Sequence, residues 1–253
     1  MFFSHFYNII LFWKDWSESL LNDKNKELMA KQSEQSQEKS IIYWNDFYKK
    51  ILIQNESSFC SFIKKKINNN SIILDVGCGS GRDTFSFGRD GYDVIGIDRS
   101  EEAIKANNLS RKNQLYKNYN IEFNVIDVSN KETLSKFMIL LRNRAISNEK
   151  TIVIYVRFFL HSIDEIAEET FLRTISKYLN KGDYFAAEFR TIEDKERLKV
   201  FDPHYRRFIT SENLLSDLER KYKFNIVSFE KGTGLSIYKD EDPFLARVVA
   251  QKK

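Results

Sequence analysis

Cysteine is nearly missing from this chain of 253 residues. Cys60 and Cys78 alone cannot build a disulfide framework or a four-thiolate zinc site, so no metal is expected, and a reduced, cytoplasmic setting is. Proline is as scarce: Pro203 and Pro243 leave no room for proline-rich linkers or collagen-like structure. Long apolar runs are lacking too. The longest stretch free of Asp, Glu, Lys and Arg, residues 1–13, falls short of the ~20 residues that span a bilayer, so no membrane span is expected. It also lacks the basic start and small-residue cleavage site of a secretory signal. No large excess of one charge is present: Lys and Arg number 40 against 36 Asp and Glu, a net of +4, which gives no reason to expect nucleic acid as a partner.

What is there belongs to a globular protein. Hydrophobic residues make up 42% and charged residues 30%, and 21 Phe, 12 Tyr and 3 Trp can fill a large core. At ~150 residues per domain the length corresponds to one or two domains. In residues 1–21 Phe2, Phe6, Ile9, Trp13, Trp16 and Leu20 form a heptad-type stripe that stops at Asp23. It fits a helix packed on its own protein and a homodimer contact equally well, and a membrane-surface helix less well because its polar face is not strongly basic. Residues 22–40 are almost wholly polar. The expected division is an N-terminal helical extension and linker over 1–40, a helical lid over 41–70, and a main domain over 71–253.

From residue 71 strand-length apolar runs alternate with helix-like segments. SIILDV, YDVIGID, IEFNVIDV, TIVIYV and DYFAAEF read as strands, with helices expected over 82–89, 101–118, 131–145 and 164–179. Such alternation indicates a parallel sheet covered on both faces. Near the end a helix over 211–222 precedes FNIVSFE and FLARVVA, two strands with no helix between them, expected as an antiparallel pair. The fold class is therefore α/β, with a Rossmann-like, doubly wound, seven-stranded sheet that is mostly parallel and has an antiparallel last strand.

The most informative stretch runs Leu74-Asp75-Val76-Gly77-Cys78-Gly79-Ser80-Gly81-Arg82-Asp83. A strand running into a glycine-rich turn and a helix is how nucleoside cofactors are held. A nicotinamide fingerprint needs a third glycine where Arg82 stands, and Asp75, inside the strand, would repel a pyrophosphate. An acidic residue there suits a cofactor that carries an ammonium group.

These residues resemble the first motif of class I S-adenosylmethionine-dependent methyltransferases. The resemblance continues with Asp98 at the end of the second strand, followed by Arg99, and with Asp127-Val128 ending the third. It implies that Asp75, Gly77, Gly79, Arg82, Asp98, Arg99, Asp127 and Val128 bind the cofactor, Asp98 at the ribose hydroxyls, Asp127 and Val128 at adenine. The first turn of the helix at Arg82 would face the methionine carboxylate. Taken singly, Asp98 and Asp127 also read as turn caps and Arg82 as an exposed first-turn residue. Trp44 and Tyr48, in YWNDFY, read either as packing or as a lid whose rings meet the sulfonium.

In open α/β sheets ligands lie beyond the carboxyl ends of the strands. Arg157 and His161 follow the fourth strand and are the candidate catalytic residues. Arg157 either pairs with a structural carboxylate or reaches the cleft, and His161 is either a hydrogen-bonded structural residue or a proton acceptor. Arg190 follows the fifth strand, and His204, Tyr205, Arg206 and Arg207 come next; with Arg157 they are the candidate acceptor contacts. Arginine forks match phosphate and carboxylate oxygens, so a small anionic acceptor is expected. The segments YVRFFLH, EFR, HYRRF and EDPFLARVVA, together with YWNDFY and GCGSGRD, resemble methyltransferases of bacterial surface-polysaccharide clusters, including those of capsule O-methyl phosphoramidate. That resemblance implies O-methylation of a phosphate- or phosphoramidate-bearing precursor. A sugar or small-metabolite O- or N-methyltransferase and a non-catalytic cofactor-binding scaffold subunit are the alternatives.

Overall fold

A computed structural model describes residues 55–197, 199 and 205–253, all within the unit Trp44–Lys253. The stripe and linker of residues 1–40, the aromatic segment with Trp44 and Tyr48, and His204 lie outside the described residues.

Seven strands form one sheet: β1 Ser71–Val76, β2 Asp93–Asp98, β3 Ile121–Val125, β4 Thr151–Arg157, β5 Tyr184–Arg190, β6 Phe224–Gly232 and β7 Leu245–Lys252. Their spatial order is β3-β2-β1-β4-β5-β7-β6. The five strands from β3 to β5 pair in parallel, while β7 runs antiparallel to both β5 and β6. Five of the seven strands hold five or more buried residues, as strands do when both faces are covered.

Side-chain alternation along the strands sends two residue sets to two faces. Ile73, Val94, Val153, Tyr155, Ala186 and Val249 pack against Phe59, Cys60 and Ile63 of α1 (Ser58–Lys64) and Phe87 of α2 (Arg82–Arg89). The opposite set, including Leu74, Ile97, Ile154 and Val248, meets Leu134, Met138 and Leu141 of α4 (Lys131–Ser147), Phe171 and Ile175 of α5 (Glu165–Tyr178), and Leu218 of α6 (Ser211–Arg220). Each fully buried side chain of this kind contributes ~1.5–3 kcal/mol. Both cysteines are buried and free.

Helix starts are marked by side chains that accept an orphan amide: Ser57 from Cys60, Ser100 from Ala103, Asn130 from Thr133 and Asp164 from Ala167. The helix expected over 101–118 is shorter. α3 spans Glu101–Arg111, because the amides of Lys112 and Asn113 fold back to Leu109 and Ser110, and the Asn113 side chain caps a separate turn at Gln114–Tyr116.

The chain leaves β1 for β2 on one side and reaches β4 on the other, so the carboxyl ends of β1 and β4 form the switch point of the sheet. The register pairs Asp75 with Gly96 on β2 and with Tyr155 on β4, and Arg157 with Glu188 on β5. Asp75, Tyr155, Arg157, Glu188 and Arg247 thus share the face covered by α1 and α2.

Candidate active site

The turn after β1 is pinned to β2. Gly77 and Cys78 donate their amides to the Ile97 carbonyl at 2.8 and 3.0 Å. The Gly79 amide donates to Asp98 Oδ2 at 2.9 Å, and its carbonyl accepts from Asn107 Nδ2 of α3 at 2.7 Å. Gly77 and Gly81 hold φ of +71° and +72°, a left-handed conformation that other residues reach only with strain. A Cβ on Gly77 would also lie 2.4 Å from Phe159 Cδ2, so the ring rests on a bare backbone.

Three carboxylates surround this turn in different states. Asp75 is 4% exposed and accepts from Thr84 Oγ1 at 2.6 Å. Its carboxyl is pushed up to about 7, first by burial and then by the neighbouring Asp83 charge. Asp83 is as deep, but it accepts from the Ser57 amide at 2.8 Å, the Ser57 hydroxyl at 2.7 Å and the Tyr155 hydroxyl at 2.7 Å. Burial alone would raise it; Arg157, Arg82 and the Ser57 donors hold it below the usual carboxylate range. Asp98 is raised because burial outweighs the amides of Ser100 and Gly79 that its carboxylate accepts. Both Asp98 oxygens therefore already anchor backbone.

Asp127, at the end of the β3 segment, accepts the Ser129 amide at 2.8 Å and hydroxyl at 2.7 Å on Oδ1 alone, and Val128 beside it is buried. Asp98 and Asp127 both brace turns, as the turn-cap reading expects, and both stand at or just beyond the carboxyl ends of adjacent strands. Arg82 opens α2, with Nε 3.3 Å from Asp83 Oδ1, and Arg99 lies half-buried between Asp98 and the Ser100 cap.

The arginines expected to await an anion are paired within the protein. Arg157 Nε lies 3.0 Å from Glu188 Oε1, poorly aligned for a hydrogen bond, and its Nη2 donates to Ser236 Oγ at 3.0 Å. Glu188 is fully buried and also accepts Arg247 Nε at 2.6 Å. Arg190 is 5% exposed and lies between Asp194, at 2.6 Å, and Glu241. Arg207 is held by Glu168 and the Leu160 carbonyl. Clustered positive charge without internal counter-anions, the basis of the anionic-acceptor expectation, is thus not found at Arg157, Arg190 or Arg207. Tyr205 is 42% exposed and Arg206 half-buried on the segment leading to α6.

His161 is 5% exposed, and its Nδ1 accepts the Arg190 amide at 3.3 Å while its carbonyl accepts the Arg207 amide at 2.7 Å. That bond uses the Nδ1 lone pair, so the neutral ring carries its proton on Nε2. In this state His161 positions the β5 terminus.

A family model described as "Methyltransferase domain" matches residues 67–234. The chain belongs to the methyltransferase-domain family. No curated protein matches it. Among solved structures, this methyltransferase-domain chain resembles a SAM-dependent methyltransferase from Anabaena variabilis, at 18% identity over 83% of this chain and 92% of that one, with a TM-score of 0.62. It resembles another from Methanosarcina mazei, at 19% identity, with 76% and 96% covered and a TM-score of 0.57. Magnesium protoporphyrin IX methyltransferase from Synechocystis, solved with bound SAH, shares 12% identity over 78% and 80%, with a TM-score of 0.53. At these identities the likeness is one of fold.

Several site residues carry no sequence signal of their own. Thr84, Asn107, Tyr155 and Ser57 reach the turn only because strand register and helix packing bring them there. Glu188 and Arg247 sit in ordinary strand positions and become partners through the β5–β7 pairing. No helix among the described residues is long and apolar enough to cross a membrane, and none of their His, Cys, Asp and Glu groups could hold a metal ion.

Proposed function

We propose that the chain binds S-adenosylmethionine over the carboxyl ends of β1 and β2 and transfers its methyl group to a small-molecule acceptor lying over β4 and β5. The observation that carries this is the pairing of a bare glycine turn with buried Asp75 and strand-end Asp98, in a chain that belongs to a methyltransferase family. The donor set fits. Carboxylates at the ends of β1, β2 and β3 suit a cationic, hydroxyl-bearing ligand and would repel a pyrophosphate. Asp75 takes the ammonium group, Asp98 the ribose hydroxyls, Asp127 and Val128 the adenine, and the Arg82 turn the carboxylate. The cofactor supplies a methyl group made electrophilic by its sulfonium. The protein's contribution is to hold donor and acceptor in line and to exclude water.

Cofactor binding is then linked to a proton. With its carboxyl at about 7 rather than the ordinary 3.8, Asp75 is protonated in the unliganded protein below neutrality, while an ammonium partner favours the ionised form. Affinity for S-adenosylmethionine should rise by up to about tenfold per pH unit between ~5 and ~7 and level off above. Asp75→Asn should bind more weakly and lose that slope. Stability carries the opposite sign. A carboxyl raised in the fold costs stability as pH climbs from the unfolded value through about 7, so the unliganded Asn variant should melt above wild type at pH 8. Titration calorimetry over this range decides the matter; a flat wild-type profile would remove Asp75 from the ammonium site.

For the acceptor, the finer reading is a phosphate- or phosphoramidate-bearing precursor of a surface polysaccharide, with Arg157 as its contact. Two features support it: the resemblance of the segments around Arg157 and Arg190, and an Arg157 Nη1 that takes no partner among the described residues. A phosphate oxygen is already anionic and needs no base; for a sugar hydroxyl, His161 in its other tautomer would have to accept the proton. Arg157→Ala should cut methyl transfer to sugar phosphates at least tenfold while leaving S-adenosylhomocysteine affinity nearly intact. If neutral sugars prove the better acceptors, the anionic assignment fails.

A further inference from the structure

Phe158, the first residue after β4, has φ of +53°, a left-handed conformation that strains a bulky side chain. The strain is held in place. Its amide still donates to the Glu188 carbonyl at 2.9 Å, and the Arg157 guanidinium stacks over its ring at 4.2 Å, with Arg190 at 5.7 Å. This reversal follows the strand end and lays Phe159 on Gly77, with Cδ2 2.4 Å from where a Cβ would stand. The Phe159 ring is only half-buried, although Phe171 packs against it at 6.1 Å between centroids. A residue needed only for the core could be supplied from the strand without strain. What the strain achieves is an aromatic ring beside the glycine turn, at the switch point between β1 and β4, where donor and acceptor must meet.

We propose that Phe159 is a specificity-determining residue that meets the cofactor's sulfonium and favours charged S-adenosylmethionine over its neutral product. This rests on the cofactor assignment made above. In the transfer the methyl–sulfur bond breaks, its electron pair stays on sulfur, and the acceptor's lone pair forms the new bond. The sulfur leaves as an uncharged thioether. A ring face attracts a cation but not a thioether, so the contact holds the substrate and is lost with the product.

Titration calorimetry of the full chain with S-adenosylmethionine and with S-adenosylhomocysteine tests this without an acceptor. Phe159→Leu should weaken S-adenosylmethionine about tenfold and S-adenosylhomocysteine less than about twofold, whereas Phe159→Tyr should keep the wild-type ratio. Trifluorophenylalanine incorporated at 159, which keeps the volume and depletes the ring face, should reproduce the Leu ratio even if the Leu variant folds poorly. An unchanged ratio, whether both affinities fall together or neither does, overturns the proposal and makes Phe159 packing alone. Absence of S-adenosylmethionine binding by the wild type would overturn the cofactor assignment as well, which separates the two failures.

Discussion

Asp98→Ala should lower S-adenosylmethionine affinity by about a hundredfold or more, because two effects act together. In the proposed placement the ribose would lose two hydrogen bonds to a charged acceptor, each worth ~1.5–3 kcal/mol. The Gly79 amide also loses its partner at 2.9 Å, and with it the turn loses one of its ties to β2. Asp98→Asn keeps one acceptor oxygen and should fall between. The Ile97 carbonyl still holds Gly77 and Cys78 in both variants, so the sheet should stay folded. Calorimetry alongside thermal melting separates the two effects. Wild-type affinity in the Ala variant would mean that the ribose lies elsewhere.

Gly77→Ala should be more damaging still, to stability as well as to binding. The new Cβ would be left-handed at φ +71° and would meet Phe159 Cδ2 at 2.4 Å, a separation that real Cβ atoms essentially never show. The ring cannot move aside freely, since Phe158 is pinned to Glu188 and Phe171 packs behind it. Strain and overpacking together should cost ~2–4 kcal/mol, which for a chain of this size lowers Tm by roughly 5–15 °C. Cofactor binding should be lost. A second substitution that removes the ring, Phe159→Ala, should recover part of the stability but not the binding. No recovery would show that the left-handed backbone, and not the collision, dominates.

The sheet was legible because its strands are apolar runs of five to nine residues, mostly separated by helical segments, and burial on both faces of the central strands leaves little alternative. The antiparallel end followed from the lack of a helix between FNIVSFE and FLARVVA. The cofactor reading was open to the sequence for a local reason: Asp75, the glycine turn and Arg82 lie within eight residues, in a pattern that resembles the methyltransferase motif. The acceptor side was not. Arg157 and Arg190 looked like unpaired cations because their counter-anions, Glu188, Asp194 and Glu241, are supplied by strand pairing, a short turn and a distant loop. Their neutralisation depends on the β4–β5 register and on the segment before β7, neither of which a linear pattern encodes. Asn107 and Tyr155 were missed on the same ground. The helix expected over 101–118 overran because its polar composition continues past the Asn113 cap, and only the cap geometry ends it.

The most direct test of the account is the structure of the full chain with S-adenosylhomocysteine bound. The account predicts the ribose hydroxyls on the Asp98 carboxylate, the ammonium on Asp75, the adenine beside Val128, and the sulfur against the Phe159 ring beside the glycine turn. A nucleoside bound away from the β1 and β2 carboxyl ends, or an ammonium group that does not touch Asp75, would contradict it.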